Sequence, residues 1–111
     1  MINIEAKENV LYLDKVKVKK FPYKIIYHDV FKNKILILLD YKESENNNLF
    51  CLDFKGKLKW QVSSNSDYEN EECPITSIEI RGNELIIFRW CCYTEKINFD
   101  NGELLESIFT K

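Results

Sequence analysis

Two stretches fifty residues apart share one pattern, and that pattern limits the fold more than any other feature. Asn33-Lys34-Ile35-Leu36-Ile37-Leu38-Leu39-Asp40-Tyr41 resembles Asn83-Glu84-Leu85-Ile86-Ile87-Phe88-Arg89-Trp90-Cys91. Downstream, Cys51-Leu52-Asp53-Phe54-Lys55-Gly56-Lys57-Leu58 resembles Lys96-Ile97-Asn98-Phe99-Asp100-Asn101-Gly102-Glu103-Leu104. Upstream, residues 24–31 resemble the strand-like segment 75–80. Three pairings in the same order mark an internal duplication. Each copy reads as strand, tight turn, long apolar strand, loop, strand, Gly turn, strand.

The local chemistry supports strands over helices. Lys32-Asn33, Lys55-Gly56, Arg81-Gly82-Asn83 and Asp100-Asn101-Gly102 supply residues that tolerate positive φ between two strands. Ile35–Leu39 and Leu85–Phe88 are apolar without alternation, as in central strands covered on both faces. Period-two alternation puts Leu58, Trp60 and Val62 on the core side and Lys57, Lys59 and Gln61 in water. Before the first copy, Val10–Leu13 and Lys15–Lys19 read as two short strands, with Lys15, Lys17 and Lys19 along one face.

The expected fold is all-β: an antiparallel meander of about ten strands in one domain. Its parts are N-terminal strands (1–23), a first repeat (24–63), an acidic loop (64–74) and a second repeat (75–111). The expected core is Ile35, Ile37, Leu39, Leu52, Phe54, Trp60, Ile78, Ile80, Leu85, Ile87, Ile97 and Phe99.

A chain of 111 residues with 45% apolar residues has enough to bury one core. No apolar run approaches the roughly 20 residues of a membrane helix, and the first residues lack the basic-then-apolar order of a signal peptide. A cytoplasmic location follows as an expectation, and with it four reduced thiols at Cys51, Cys73, Cys91 and Cys92. Net charge is −2 but unevenly spread. Residues 1–34 carry eight lysines against four acids, and residues 40–72 carry four lysines against eight acids.

Catalytic chemistry finds little support. His28 is the only histidine, so imidazole-based acid–base catalysis depends on it alone, and it falls inside a strand between Tyr27 and Asp29. Adjacent Cys91 and Cys92 point to opposite faces of a strand and do not jointly grip a metal. The three glycines are isolated and form no phosphate loop. No enzyme activity, metal or cofactor is expected.

Two charged segments remain. Lys15–Lys20, near Phe21, Tyr23 and Tyr27, combines phosphate contacts with stacking surfaces, or else guards an edge strand against aggregation. The segment Asp67-Tyr68-Glu69-Asn70-Glu71-Glu72 holds four carboxylates in the longest connection of the chain. Tyr68 adds an aromatic of the kind enriched at binding hot spots, and Glu43 and Glu45 in the other long connection extend the negative surface. The expected partner-binding residues are therefore Glu43, Glu45, Asp67, Tyr68, Glu69, Glu71 and Glu72.

The run Leu49–Trp60 resembles the blade motif of quinoprotein-like β-propellers, in which an apolar-Asp-apolar strand meets a Gly turn and a Trp strand. The second copy departs from it at Asn98 and Glu106. Two blades close no ring, so the resemblance implies a half-propeller or a β-sandwich and no central cofactor. In size and style the chain also resembles immunity proteins of bacterial contact-dependent growth inhibition. That resemblance implies a protein partner: a cognate toxin with a basic nuclease domain, whose cleft the carboxylates fill. The alternatives are a nucleic-acid-binding β module using the Lys15–Lys20 face and a propeller fragment that self-assembles.

Overall fold

The computed structural model describes residues 2–42, 46–63, 68 and 71–109. These residues form eleven strands and no helix: β1 (Ile4–Lys7), β2 (Val10–Leu13), β3 (Val16–Lys20), β4 (Ile25–Phe31), β5 (Lys34–Leu39), β6 (Leu49–Leu52), β7 (Leu58–Gln61), β8 (Ile75–Arg81), β9 (Glu84–Arg89), β10 (Tyr93–Ile97) and β11 (Leu104–Phe109). All pair antiparallel with sequence neighbours, in three sheets ordered β1-β2-β3, β4-β5-β6-β7 and β11-β10-β9-β8. Among the described residues no barrel closes, and β1, which the sequence reading missed, adds an eleventh strand.

The sheets stack in chain order. Leu36, Leu38, Leu49, Cys51, Trp60 and Val62 of the middle sheet and the segment after it pack on Ile75, Leu85, Ile87, Ile97 and Phe99 of the C-terminal sheet and its turn. On the opposite face, Ile35, Ile37, Leu39, Phe50 and Leu52 pack on Leu11, Leu13 and Phe21 from the N-terminal end. The middle sheet is therefore covered on both sides, which is why β5 and β6 show no alternation.

The duplication is visible in the backbone. Both copies bulge in the first strand, between Ile25 and Tyr27 and between Ile75 and Ser77. Both bulge again at Cys51/Leu52 and at the equivalent Lys96/Ile97. One extra residue at the same place in each copy is a shared, built-in kink.

Bulges also explain where strict alternation fails. Leu52 pairs with Leu58 and Cys51 with Trp60, so Lys59 is the extra residue and Leu58 leaves the Trp60 face and is exposed. In β3, Leu11 pairs with Lys19 and Tyr12 with Lys17, which leaves Val18 between them. Lys17 thus shares the outer face of Tyr12 and Lys19 the side of buried Leu11, so the expected lysine stripe is broken. Phe54 belongs to a turn, 37% exposed, and is no core residue. Ile78 and Ile80 are only half-buried against the core.

The two long connections, 40–48 and 62–74, lie at one end of the stack, and the turns 32–33, 53–57, 82–83 and 98–103 lie at the other. At the turn end Gly102, at φ +76°, sits so close to Trp60 that an added Cβ would fall 2.6 Å from Cε3. There the Trp60 indole Nε1 donates to the carbonyl of Phe99 at 2.7 Å. No helix of the described residues is long and apolar enough to cross a membrane.

Candidate partner-binding surface

The loop end is built on a buried polar cluster that the sequence reading did not identify. Arg89 ends β9 and Glu95 lies in β10, and both side chains are fully buried and ion-paired. Arg89 Nε donates to Glu95 Oε1 at 2.5 Å, and Nη1 donates to the carbonyls of Asn46 and Cys73 at 2.7 and 2.8 Å. Nη2 reaches the carbonyl of Ser63 at 3.3 Å. Glu95 further accepts from the Tyr68 hydroxyl at 2.7 and 2.6 Å and from Ser107 Oγ at 2.8 Å. The Arg89 guanidinium also lies over the Tyr68 ring, 4.9 Å from its centroid. One guanidinium thus holds both long connections, a use for which its rigid fork of donors suits it.

Two asparagines tie the same connections to each other. Asn46 donates to the carbonyl of Glu71 and accepts from the amide of Cys73. Buried Asn48 donates to the carbonyls of Leu39 and Ile75 and accepts from the amide of Ile75. A signal for the cluster existed in the repeat: Arg89 aligns with Leu39 and Glu95 with Phe50, two buried apolar positions of the first copy.

Cys73 and Cys91 form a disulfide with Cα atoms 5.1 Å apart, overturning the expectation of four free thiols. Cys73 lies near the end of the longest connection and Cys91 in the β9–β10 turn. The β8–β9 register, with Ile75 opposite Arg89 and the Trp90 amide on the Pro74 carbonyl, sets them across from each other within bridging range. Cys51 stays free and buried, and burial pushes its thiol up to about 11 against the opposing pull of Lys34 and Lys59. Cys92 is exposed and at φ +70°.

Of the expected partner-binding residues, Glu71 and Glu72 are exposed. Glu43, Glu45, Asp67 and Glu69 lie outside the described residues. Tyr68 is 2% exposed, so it offers no surface to a partner and instead anchors its loop from within. The exposed aromatic here is Trp90, 65% accessible, whose ring stacks on Tyr41 with centroids 6.4 Å apart and planes at 18°. Trp90 is fixed by its own amide, which donates to the carbonyl of Pro74, and by the disulfide at the next residue. Nearby, Tyr93 packs against both Tyr68 and the exposed Phe109.

His28 is exposed on β4, while its neighbours Tyr27 and Asp29 bond to each other at 3.0 Å. Burial, then that hydrogen bond and the Asp29 charge, raise the Tyr27 hydroxyl above its ordinary value. Among the described residues no group of three or more His, Cys, Asp or Glu side chains could hold a metal ion.

The sequence family DUF7957, a domain of unknown function, matches residues 1–109. No curated protein matches the chain. Thirteen chains of solved structures do. One is the crystal structure of the computationally designed Ika8 protein, with a TM-score of 0.68 and 8% identity over 99% of this chain. This chain spans 33% of that one, and the likeness shows the fold alone.

Proposed function

This chain belongs to the DUF7957 family, and we propose that it is a non-enzymatic protein-binding module whose loop end receives a basic protein partner. The observation that carries the reading is the exposed Trp90 stacked on Tyr41 and seated between the two acidic connections. An exposed Trp on a braced turn supplies anchor area with little side-chain entropy to lose, and Trp and Tyr lead among hot-spot residues. Exposed Glu71 and Glu72 give the surface its sign, and the sequences of the two connections carry the further acids Glu43, Glu45, Asp67 and Glu69. Such a field attracts a cationic cleft before contact. The buried Arg89–Glu95–Tyr68 cluster supports the surface from below, as precise recognition requires.

The partner class that fits is a nuclease-type toxin domain with a basic substrate cleft, neutralised when carboxylates take the place of nucleic-acid phosphates. That is an immunity role in the cytoplasm. Binding kinetics of the full chain against a basic nuclease toxin domain encoded beside it test the reading. Trp90→Ala should speed release by roughly 30-fold or more, the loss of about 2 kcal/mol typical of a hot spot. Neutralising Asp67, Glu69, Glu71 and Glu72 to Asn or Gln should slow association and remove most of its salt dependence, with folding nearly unchanged. Unchanged rates in both variants, with cells still protected, would place the interface elsewhere.

A further inference from the structure

Stacking inside the chain leaves two sheet faces open, and the duplication indicates what one of them is suited to meet. In repeat register Leu36 and Leu38, which bury the C-terminal sheet, correspond to Ile86 and Phe88. Cross-strand pairing places Ile86 opposite Glu79 and Lys96, and Phe88 opposite Ser77 and Thr94, on the face turned away from the middle sheet. Val62 corresponds to Ile108, which shares that face through Thr94 and is 49% exposed. The C-terminal sheet thus keeps on its open side three of the apolar positions by which the middle sheet receives its neighbour.

The rest of the face has become polar and leans acidic. Glu106 stands where the first copy has Trp60, and Lys96 where it has Cys51. Glu79, Glu84 and Glu106 share two cations, Arg81 and Lys96, through ion pairs of 2.7–3.8 Å. At the other end of the stack, the open face of the N-terminal sheet is basic. Lys17 and Glu5 flank Tyr12, while Lys7 and Lys20 flank Val10. Lys15 joins Glu5, Lys7 and Tyr12 around a shallow depression there. None of the ion pairs among the described residues involves Lys7, Lys15, Lys17 or Lys20.

We infer that the open face of the C-terminal sheet stacks on the open face of the N-terminal sheet of a second copy of this chain. Apolar Phe88 and Ile108 meet Tyr12 and Val10, and the carboxylates meet the lysines. The contact repeats in trans the order already used in cis, in which the N-terminal sheet covers the middle one and the middle one covers the C-terminal. It joins unlike faces, so each added copy presents a fresh one, and assembly runs head to tail into a ring or an open chain. With half the face polar, the complex exchanges rather than standing as an obligate oligomer.

Sedimentation of the full chain across a concentration series at low and high salt tests this. Mass should climb past that of a dimer with concentration and fall back as salt rises. Ile108→Lys and Lys17→Glu, both at exposed positions, should each stay monomeric with an unchanged β-sheet spectrum. Mixed together they should form a dimer that grows no further, because each supplies the face the other has lost. Trp90→Ala should assemble like the wild type, which separates this contact from the loop-end surface. A chain that stays monomeric throughout overturns the inference, as does a dimer indifferent to both substitutions. So does an oligonucleotide that binds the lysine face without any self-association.

Discussion

The two ends of the sheet stack are held by different physics. At the turn end four connections of two to six residues join paired strands, and the two longer ones are secured by groups a few positions away. Asp53 accepts from the amides of Lys55 and Lys57, Asn98 from that of Asp100, and Asn101 from that of Glu103. At the loop end connections of nine and thirteen residues are secured from far along the chain. Arg89 reaches Asn46 and Cys73, and Tyr68 reaches Glu95. Short-range restraints specify a turn and nothing else. A buried long-range cluster frees the sequence of the loop it holds, which suits a surface whose task is contact.

If that contrast is right, the largest effect belongs to the buried ion pair. Arg89→Ala should cost about 3–5 kcal/mol, because it strands a buried carboxylate and several carbonyls. Arg89→Leu with Glu95→Phe, which writes the first copy's residues into the second, should recover much of the loss in urea unfolding while releasing the loops. A cost for Arg89→Ala below about 1 kcal/mol would mean the cluster is not what fastens that end.

The disulfide comes next. Its partners are 18 residues apart, a closure worth about 3 kcal/mol by chain entropy. Reductant should therefore lower the melting temperature of the wild type but not that of Cys73→Ser. Equal response in both would show the pair is not bonded in the folded protein.

At the turn end, Gly102→Ala should cost about 2–3 kcal/mol from positive φ and overpacking against Trp60. Gly82→Ala, at φ +61° with nothing within 4 Å, should cost only the backbone part, about 1–2 kcal/mol. Identical costs would mean that Trp60 moves aside freely.

The smallest effect is that of pH on the Asp53 turn. Hydrogen bonds from Lys57 and Lys55, with the charges of Lys59 and Lys55, hold its carboxyl below the ordinary aspartate value against a desolvation penalty. A depressed folded value contributes stability that is present above the unfolded value and lost as pH falls through the folded one. Asp53→Asn should therefore lower stability slightly at neutral pH, leave it nearly unchanged below the folded value, and so flatten the acid limb of the stability curve. The alkaline limb has the opposite sign. Buried Cys51, raised to about 11, loses its contribution as pH climbs from 9.0 toward that value.

Much of this fold was legible because the duplication, the Gly and Asn turns and the doubly apolar runs are local signals. Bulges were not. Nothing about Lys59 or Val18 in the sequence says that it is the extra residue, so Leu58 and the lysine stripe were assigned to the wrong faces. The candidate surface was legible only in its sign: the acids were found, but Tyr68 was read as outward and Trp90 was overlooked. A tyrosine among carboxylates looks exposed until a buried Glu95 offers its hydroxyl a partner. A tryptophan beside an apolar run looks buried until a turn at residues 90–92 carries it out.

Sequence by itself determined the number and order of strands in each repeat, their antiparallel pairing and the all-β class, since side-chain period and turn chemistry act over a few residues. Tertiary structure alone decided which side of each sheet is covered, which loops meet, that Cys73 finds Cys91, and that two apolar positions of the first copy become a buried salt bridge in the second. Those outcomes depend on groups tens of residues apart sharing one dry space, where an unpaired charge or carbonyl is too costly to leave.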